Sequence, residues 1–163
     1  MNPRVVVCGV SGSGKSTIGE RLADRLGVPF CDGDDLHPDA NRRKMQAGIP
    51  LDDDDRRPWL ADVGRWLAEH EDGGVVACSA LKRSYRDLIR STCPDAWFAQ
   101  LVGDEDVIIE RQRNRKQHFM PPSLMPSQFA DFEELEPDEA GRAVDVGPAP
   151  DELVTEIVEH LDT

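Results

Sequence analysis

The chain has 163 residues, 39% of them hydrophobic and 31% charged, which predicts a single domain spanning 1–163 with a buried core. Its 32 acidic residues against 19 Lys and Arg give a net charge of −13, which argues against binding to nucleic acid or to an anionic membrane. The longest run of apolar residues and glycine, 5–10, is far shorter than the about 20 residues that a membrane span needs.

Predicted strands and helices alternate along the chain. Short apolar runs predict strands at 4–8, 29–31, 75–78, 96–102 and 142–146. Helical spacing of apolar residues, with Gly and Pro as breakers, predicts helices at 15–26, 39–47, 81–90 and 104–115, one with Pro58 near its start, and one at the C-terminus. This alternation predicts an α/β fold of three layers, in which a five-stranded parallel sheet is flanked by helices on both faces.

A phosphate-binding loop is predicted directly after the first strand. Residues 9–16 read G-V-S-G-S-G-K-S and fit the pattern G-x-x-x-x-G-K-[ST] in full, between an apolar strand and an amphipathic helix. In such a loop the backbone N–H groups point at phosphate oxygens, Lys15 reaches the β- and γ-phosphates, and the Ser16 hydroxyl can bind Mg²⁺. The predicted ATP-binding residues are Gly9, Ser11, Gly12, Ser13, Gly14, Lys15, Ser16 and Thr17.

The loop alone is compatible with kinases, switches and motors. Guanine specificity usually comes with an N-K-x-D segment, and the nearest candidate, 114–117, reads N-R-K-Q and lacks the aspartate. The third predicted strand ends in Cys78-Ser79 in place of an acidic pair, and the chain is short for a motor. These observations favour a small phosphotransferase that uses ATP and Mg²⁺.

Two carboxylates one residue apart follow the second predicted strand, in the sequence Asp32-Gly33-Asp34. The carboxyl ends of parallel strands are where ligands bind in an open sheet. Asp32 is therefore a candidate to hold Mg²⁺ through water, and Asp34 is a candidate to orient the acceptor hydroxyl and take its proton. An acidic turn around a glycine is compatible with the same three residues.

Longer sequence blocks lie in order between the phosphate loop and residue 137. They include D-G-D-D-L-H-P at 32–38, P-W-L at 58–60, C-S-A-L-K at 78–82, Y-R-D at 85–87 and H-F-M-P at 118–121. Together these blocks cover most of the chain and resemble the gluconate kinase family. The resemblance implies a nucleoside-monophosphate-kinase-like P-loop NTPase fold and ATP-dependent phosphorylation of D-gluconate to 6-phospho-D-gluconate.

Gluconate combines a carboxylate with several hydroxyl groups, so its site needs cations and hydrogen-bonding side chains. The candidate substrate-binding residues, most of them in the segment 32–60, are Asp34, His37, Lys44, Arg56, Lys82 and Arg86. Lys82 is favoured because it follows the third strand at the ligand-binding end of the sheet. Arg56 follows the acidic run 52–55, which is predicted to be a solvated loop, so substrate binding and neutralisation of these acids are both compatible with its position.

Two arginines, Arg111 and Arg115, stand at positions i and i+4 of a predicted helix and would place like charges on one face. A bound anion offsets this repulsion, so we interpret both as catalytic residues that stabilise the transferring phosphoryl group. A mobile lid that closes over ATP and excludes water is predicted near 112–130, where residues 118–126 have the composition of a lid. A solvated basic end of the helix is the alternative.

Other acceptors and other functions are compatible with the same residues. Shikimate, another sugar acid or a nucleotide could replace gluconate as the acceptor, and a non-catalytic ATP sensor would need only the phosphate loop. Four scattered cysteines without a C-x-x-C pattern favour a reduced, cytoplasmic protein. The resemblance also suggests a homodimer, although no heptad pattern demands one.

Overall fold

A five-stranded parallel sheet lies at the centre of the protein, whose computed structural model describes residues 3–10, 13–49, 51–103 and 132–161. The strands are β1 (Arg4–Cys8), β2 (Phe30–Asp32), β3 (Gly74–Ala77), β4 (Trp97–Val102) and β5 (Gly141–Asp145). Their order in the sheet is β2-β3-β1-β4-β5, and every pair of neighbours is parallel. The predicted fold class is confirmed, with strand boundaries that differ by about one residue from those expected.

Helices cover both faces of this sheet. The α-helices in the described part of the chain are α1 (Lys15–Leu26), α2 (Asp39–Gln46), α3 (Asp53–Glu69), α4 (Arg83–Thr92) and α5 (Pro150–Leu161), and a 3-10 turn, Gly33–Leu36, follows β2. Side chains of β1 alternate between the faces, so Val5 and Val7 pack with α1 and α5, while Val6 and Cys8 pack with α3 and α4. Because helices cover both faces, the central strands are mostly apolar, with Arg4 at the start of β1 and Gln100 in β4 as the exceptions.

Helix α3 begins earlier than its proline predicts. The helix starts at Asp53, so that Pro58 lies in its second turn and not near its start. Asp52 is the N-cap, since its carboxylate accepts a hydrogen bond from the Asp55 N–H at 2.8 Å, and the Asp55 carboxylate accepts one from the Asp52 N–H at 3.0 Å. The acidic run that was expected to be a solvated loop is therefore the cap and first turn of α3, where the helix dipole favours carboxylates.

The helix predicted at 104–115 and the lid predicted near 112–130 both lie outside the described residues. Within the ranges that the structure covers, none of the helices has the length and apolar composition needed to cross a bilayer. All four cysteines are free thiols.

Candidate active site

The phosphate loop connects β1 to α1 and wraps around the start of the helix. Gly14 has a φ of +97°, a left-handed conformation that glycine adopts without steric cost, and it directly precedes Lys15, the first helical residue. The hydroxyl of buried Ser13 donates to the Val10 carbonyl at 2.7 Å, and Lys15 Nζ donates to the same carbonyl at 3.1 Å. The N-terminus of α1 thus faces a curled backbone, an arrangement that favours an anion.

Four further residues of the loop were predicted to bind ATP. The Gly9 N–H donates to the Ser79 carbonyl at 3.2 Å, which ties the end of β1 to the segment after β3. Thr17 is exposed on the first turn of α1. Ser11 and Gly12 lie outside the described residues.

A hydrogen bond joins the phosphate loop to the acceptor side. The Ser16 hydroxyl donates to Oδ2 of Asp32 at 2.9 Å, and Oδ1 of Asp32 accepts a hydrogen bond from the Asp34 N–H at 3.0 Å. A hydroxyl and a carboxylate are the hard oxygen donors that Mg²⁺ takes, and Mg²⁺ usually completes its shell with phosphate and water. Ser16 and Asp32 could therefore hold the ion, although the described residues contain no cluster of three or more His, Cys, Asp or Glu side chains suited to a metal.

The turn that carries Asp34 is pressed against β3. A side chain at Gly33 would collide with the Ala77 carbonyl oxygen, so only glycine lets the turn approach this strand. From the other side, the indole N–H of buried Trp59 on α3 donates to the Gly33 carbonyl at 2.8 Å. The backbone before Asp34 is thereby fixed between the sheet and α3.

His37 is buried next to Asp34 and stacks on Trp59, with the ring centroids 3.8 Å apart. Burial, helped by Arg42 and Arg56, lowers the pKa of His37 to about 3, so the ring is neutral at physiological pH. Nδ1 lies 3.2 Å from Nδ2 of Asn41. Because Nδ2 is a donor, Nδ1 accepts and the ring proton is on Nε2, 3.9 Å from Oδ1 of Asp34.

The orientation of this Asn41 amide is itself fixed. Its Nδ2 also donates to the Asp55 carbonyl at 2.9 Å, so the amide nitrogen serves both His37 and the first turn of α3. The amide carries two N–H donors, and both contacts call for a donor. The tautomer of His37 therefore follows from a connection between α2 and α3.

The thiol of Cys78, directly after β3, is buried in the protein. Burial raises the pKa of Cys78 far above its ordinary value, Asp34 raises it further, and Lys15 lowers it. The thiol remains protonated, as expected for a cysteine that serves as a small buried hydrophobe.

Arg56 and Lys82 meet over the ring of Tyr85, with the charged groups 5.0 and 5.4 Å from the ring centroid. Nη1 of Arg56 donates to the Tyr85 hydroxyl at 2.9 Å, and this hydroxyl donates to Oδ1 of Asp53 at 2.6 Å. Oδ1 of Asp53 lies 3.8 Å from Lys82 Nζ and 4.0 Å from Arg56 Nη1, so both cations have the same carboxylate neighbour. The structure thus brings together two of the predicted substrate-binding cations.

Lys44, another predicted substrate-binding residue, has a partner in the structure. Its Nζ donates to Oδ2 of Asp55 at 2.8 Å, and this hydrogen bond raises the pKa of Lys44. Because Asp55 also closes the capping box, Lys44 connects α2 to the start of α3. The described contacts give Lys44 a structural function.

Arg86 requires a correction. Its side chain and that of Glu139 are both 0% exposed, and they form a two-point ion pair at 2.7 and 3.0 Å. Nη1 of Arg86 donates in addition to the carbonyls of Ala80, Leu81 and Glu133. A guanidinium so enclosed fastens the segment 133–139 to α4 and has a structural role, in place of the substrate contact that its sequence position suggested.

Three residues of the site had no assigned role in the sequence analysis. Asn41 follows His37 by four positions, Asp53 precedes Arg56 by three, and Tyr85 is the single tyrosine of the chain. Helical spacing could have paired Asp53 with Arg56, but only if the start of α3 had been placed at its capping box. His37 lies before α2, so its contact with Asn41 had no helical signal. Arg111 and Arg115, predicted to be catalytic, lie outside the described residues.

The site combines a phosphate loop at the N-terminus of the first helix with a hydroxyl beside a carboxylate. A second carboxylate is held at the ligand end of the parallel sheet. This combination defines a P-loop kinase, which uses a nucleotide and phosphorylates a small molecule.

The comparisons with known proteins place the chain more closely. A family model described as "Shikimate kinase" matches residues 11–161. The gluconokinase of Gluconobacter oxydans is 44% identical over 99% of this chain and 93% of its own length, and the thermosensitive gluconokinase of Escherichia coli is 45% identical over 82% and 73%. The solved structure of a gluconokinase from Sinorhizobium meliloti superposes with a TM-score of 0.89 at 49% identity, over 98% of this chain and 91% of that one. The chain belongs to the gluconokinases, within the wider shikimate-kinase-like group of P-loop kinases.

Proposed function

We propose that the protein transfers the γ-phosphoryl group of ATP to D-gluconate and releases ADP and 6-phospho-D-gluconate. The observation that carries the reaction is the connection from Ser16 through Asp32 to Asp34, which puts an acceptor-side carboxylate beside the phosphate loop. The choice of gluconate as acceptor is supported by the gluconokinase relatives at 44–45% identity.

The donor side binds the ATP phosphates. Backbone N–H groups of the loop, the N-terminus of α1 and the ammonium of Lys15 offset the phosphate charge. Ser16 and Asp32 are the residues that would hold Mg²⁺, which when bound supplies further positive charge to the phosphates. Catalysis is then mostly a matter of positioning and electrostatics.

On the acceptor side, Asp34 orients the terminal hydroxyl of gluconate and takes its proton. Its turn is fixed by Gly33, Trp59 and Asp32, so the carboxylate is positioned before the substrate arrives. The neutral ring of His37 presents Nε2–H towards this carboxylate, at 3.9 Å, and is close enough to share a substrate hydroxyl with it.

The carboxylate of gluconate binds at the cation pair of Arg56 and Lys82. Arg56 directly follows Asp55, whose carbonyl binds the Asn41 amide that also contacts His37, and this supports a position of the pair on the acceptor side. Tyr85 supports both side chains and binds the guanidinium through its hydroxyl. Arginine suits this role because its planar fork matches a carboxylate. A substrate held at one end by these cations and at the other by Asp34 has its orientation defined.

Four expectations from the sequence remain predictions. Arg111 and Arg115 stabilise the transferring phosphoryl group, and the segment near 112–130 closes over ATP. We also propose a cytoplasmic location, which is compatible with four free cysteines. A homodimer is the remaining prediction, and its measurement is sedimentation at several protein concentrations.

The test is ADP release from Mg-ATP against a panel of acceptors. The panel contains D-gluconate, other sugar acids, shikimate, glycerate, nucleoside monophosphates and water alone, and shikimate is included because the matching family model bears its name. We expect release with gluconate, together with a product heavier by one phosphoryl group. Turnover only with another acceptor would move the substrate assignment, and ATP binding without any turnover would favour the ATP sensor.

A further inference from the structure

Asp53 lies on the exposed side of the Arg56–Lys82 cation pair. Its Oδ1 accepts a hydrogen bond from the Tyr85 hydroxyl at 2.6 Å and lies 3.8 Å from Lys82 Nζ and 4.0 Å from Arg56 Nη1. The side chain of Asp53 is 59% exposed, whereas that of Arg56 is 12% exposed. The Asp53 carboxylate therefore approaches the cations from the solvent side, from which a small anion in solution would also arrive.

The position of Asp53 at a helix start does not account for these contacts. The capping box of α3 belongs to Asp52 and Asp55, and the helix dipole favours a carboxylate equally at Asp53 and at Asp54. Asp54 is 82% exposed and pairs with Arg57 at 2.7 Å. Among these neighbouring carboxylates, Asp53 is the one whose oxygen meets Tyr85, Lys82 and Arg56 together.

We propose that Asp53 competes with the carboxylate of the substrate for Arg56 and Lys82 and thereby sets the apparent affinity of the site for gluconate. The inference rests on the proposed function, in which these two cations bind the carboxylate of gluconate. Asp53 neutralises them until gluconate arrives, and substrate binding exchanges one carboxylate for another.

The electrostatics of Asp53 agree with this role. The hydrogen bond from Tyr85 and, more weakly, the charges of Lys82 and Arg56 lower the pKa of Asp53 below its ordinary value, although burial opposes the shift. The group is therefore an anion throughout the neutral range, as a competitor of a carboxylate must be. Its exposure keeps the competition weak enough for a substrate to win.

The experiment compares Asp53→Asn with Asp54→Asn in steady-state kinetics at low salt. Both variants lose one negative charge from the first turn of α3, but only the first loses the contact with the cation pair. We expect Asp53→Asn to lower KM for gluconate by about two- to fivefold, the range that a partly exposed ion pair gives, with kcat and KM for ATP nearly unchanged. Asp54→Asn should match the wild type.

A KM for gluconate that is unchanged or raised in Asp53→Asn would overturn the inference, because Asp53 would then be irrelevant or needed to hold the cations in place. A wild-type enzyme that releases no ADP with gluconate would instead overturn the proposed function. A second measurement uses the wild type alone, by carboxyl NMR titration of Asp53 with and without saturating gluconate. We expect gluconate to raise the pKa of Asp53 towards its ordinary value, and an unchanged pKa would contradict the exchange.

Discussion

The Ser16 hydroxyl donates a hydrogen bond of 2.9 Å to Oδ2 of Asp32. Ser16 belongs to the first turn of α1, and Asp32 is the last residue of β2, so one contact connects the donor and acceptor halves of the site. Since the other oxygen of Asp32 holds the Asp34 backbone, a displacement of the phosphate loop is transmitted to the acceptor carboxylate.

Replacement of Ser16 by alanine tests this connection. The variant loses the bond to Asp32 and the hydroxyl proposed to bind Mg²⁺, so we expect the Mg²⁺ concentration needed for half-maximal rate to rise about 10- to 100-fold. The measurement is initial rate against Mg²⁺ at saturating ATP and gluconate. Ser91→Ala is a matched control, because Ser91 is an exposed serine of α4 that bonds only to the Leu88 carbonyl among the described contacts. An unchanged Mg²⁺ requirement in Ser16→Ala would remove Ser16 from the metal site.

Asp34→Asn separates proton transfer from ATP binding. An amide keeps the shape of the side chain but cannot accept the proton of the substrate hydroxyl, so we expect kcat to fall by about 10²- to 10⁴-fold. ATP affinity, measured by calorimetry, should remain close to that of the wild type. Asp35→Asn is the control, because Asp35 is exposed and the ion pair that the described residues give it, with Arg42, is a distant one of 4.0 Å. Equal turnover of Asp34→Asn and wild type would show that Asp34 is not the base.

Local sequence patterns were sufficient for the fold and for the order of the elements around the phosphate loop. The apolar run of β1, the glycine loop and the start of α1 follow one another without interruption, so position in the sequence equals position in the site. The carboxylates Asp32 and Asp34 could be placed because parallel strands all end at one edge of the sheet. The predicted end of β2 was one residue too early, since Asp32 still pairs with Ala77 of β3 in the parallel sheet.

The acceptor side could not be predicted to the same extent. Whether one of its cations is available to the substrate depends on ion-pair partners that lie far away in the sequence. Lys44, Arg56 and Arg86 look alike in the sequence, as basic residues near the predicted site. Lys44 pairs with a carboxylate 11 residues away, and Arg86 pairs with one 53 residues away. Neither spacing corresponds to a helical or strand period, so only the packing of α2 and α4 shows that these two side chains are engaged in structural ion pairs.

His37 should make stability depend on pH. The folded protein keeps the ring neutral, with a pKa of about 3, whereas the unfolded chain takes up a proton near the ordinary value of 6.5. Acidification from pH 6.5 towards 3 therefore favours unfolding. His37→Phe retains an aromatic partner for Trp59 and removes the titration, although it leaves Asn41 one partner short at a cost of about 1–3 kcal/mol.

The measurement for His37 is the free energy of urea unfolding at pH 7, 5.5 and 4.5. We expect the wild type to lose stability steadily over this range and His37→Phe to lose distinctly less, from a lower starting value. The slope is the informative quantity, because it is independent of the packing change that the substitution introduces. Identical slopes in the two proteins would mean that His37 is not held neutral by the fold.

Variants of Arg86 and Glu139 test whether Arg86 stabilises the fold or binds the substrate. Arg86→Met fills a similar volume but removes the two-point partner of buried Glu139 and leaves it the ion pair with Arg90 at 2.8 Å, so we expect the free energy of unfolding to fall by about 3 kcal/mol. The double variant Arg86→Met with Glu139→Leu removes both charges and should recover most of that loss. KM for gluconate should remain near the wild-type value in the double variant. A large rise in KM with unchanged stability would instead restore Arg86 as a substrate-binding residue.

The Arg86–Glu139 ion pair should also make the stability of the protein depend on pH in acid. Burial alone would raise the pKa of Glu139, but hydrogen bonds from Arg86, the Glu136 N–H and Arg90 outweigh it and lower the pKa to about 2. The folded state therefore gains stability above the ordinary value of 4.5 and loses it as the pH falls from 4.5 to about 2, a window lower than that of His37. In Arg86→Met, burial acts with less opposition, so we expect the pKa of Glu139 to rise towards 4.5 and the loss of stability between pH 4.5 and about 2 to become smaller than in the wild type. Acid unfolding curves of the wild type and Arg86→Met measure this, and equal losses of stability over this pH range in the two proteins would contradict it.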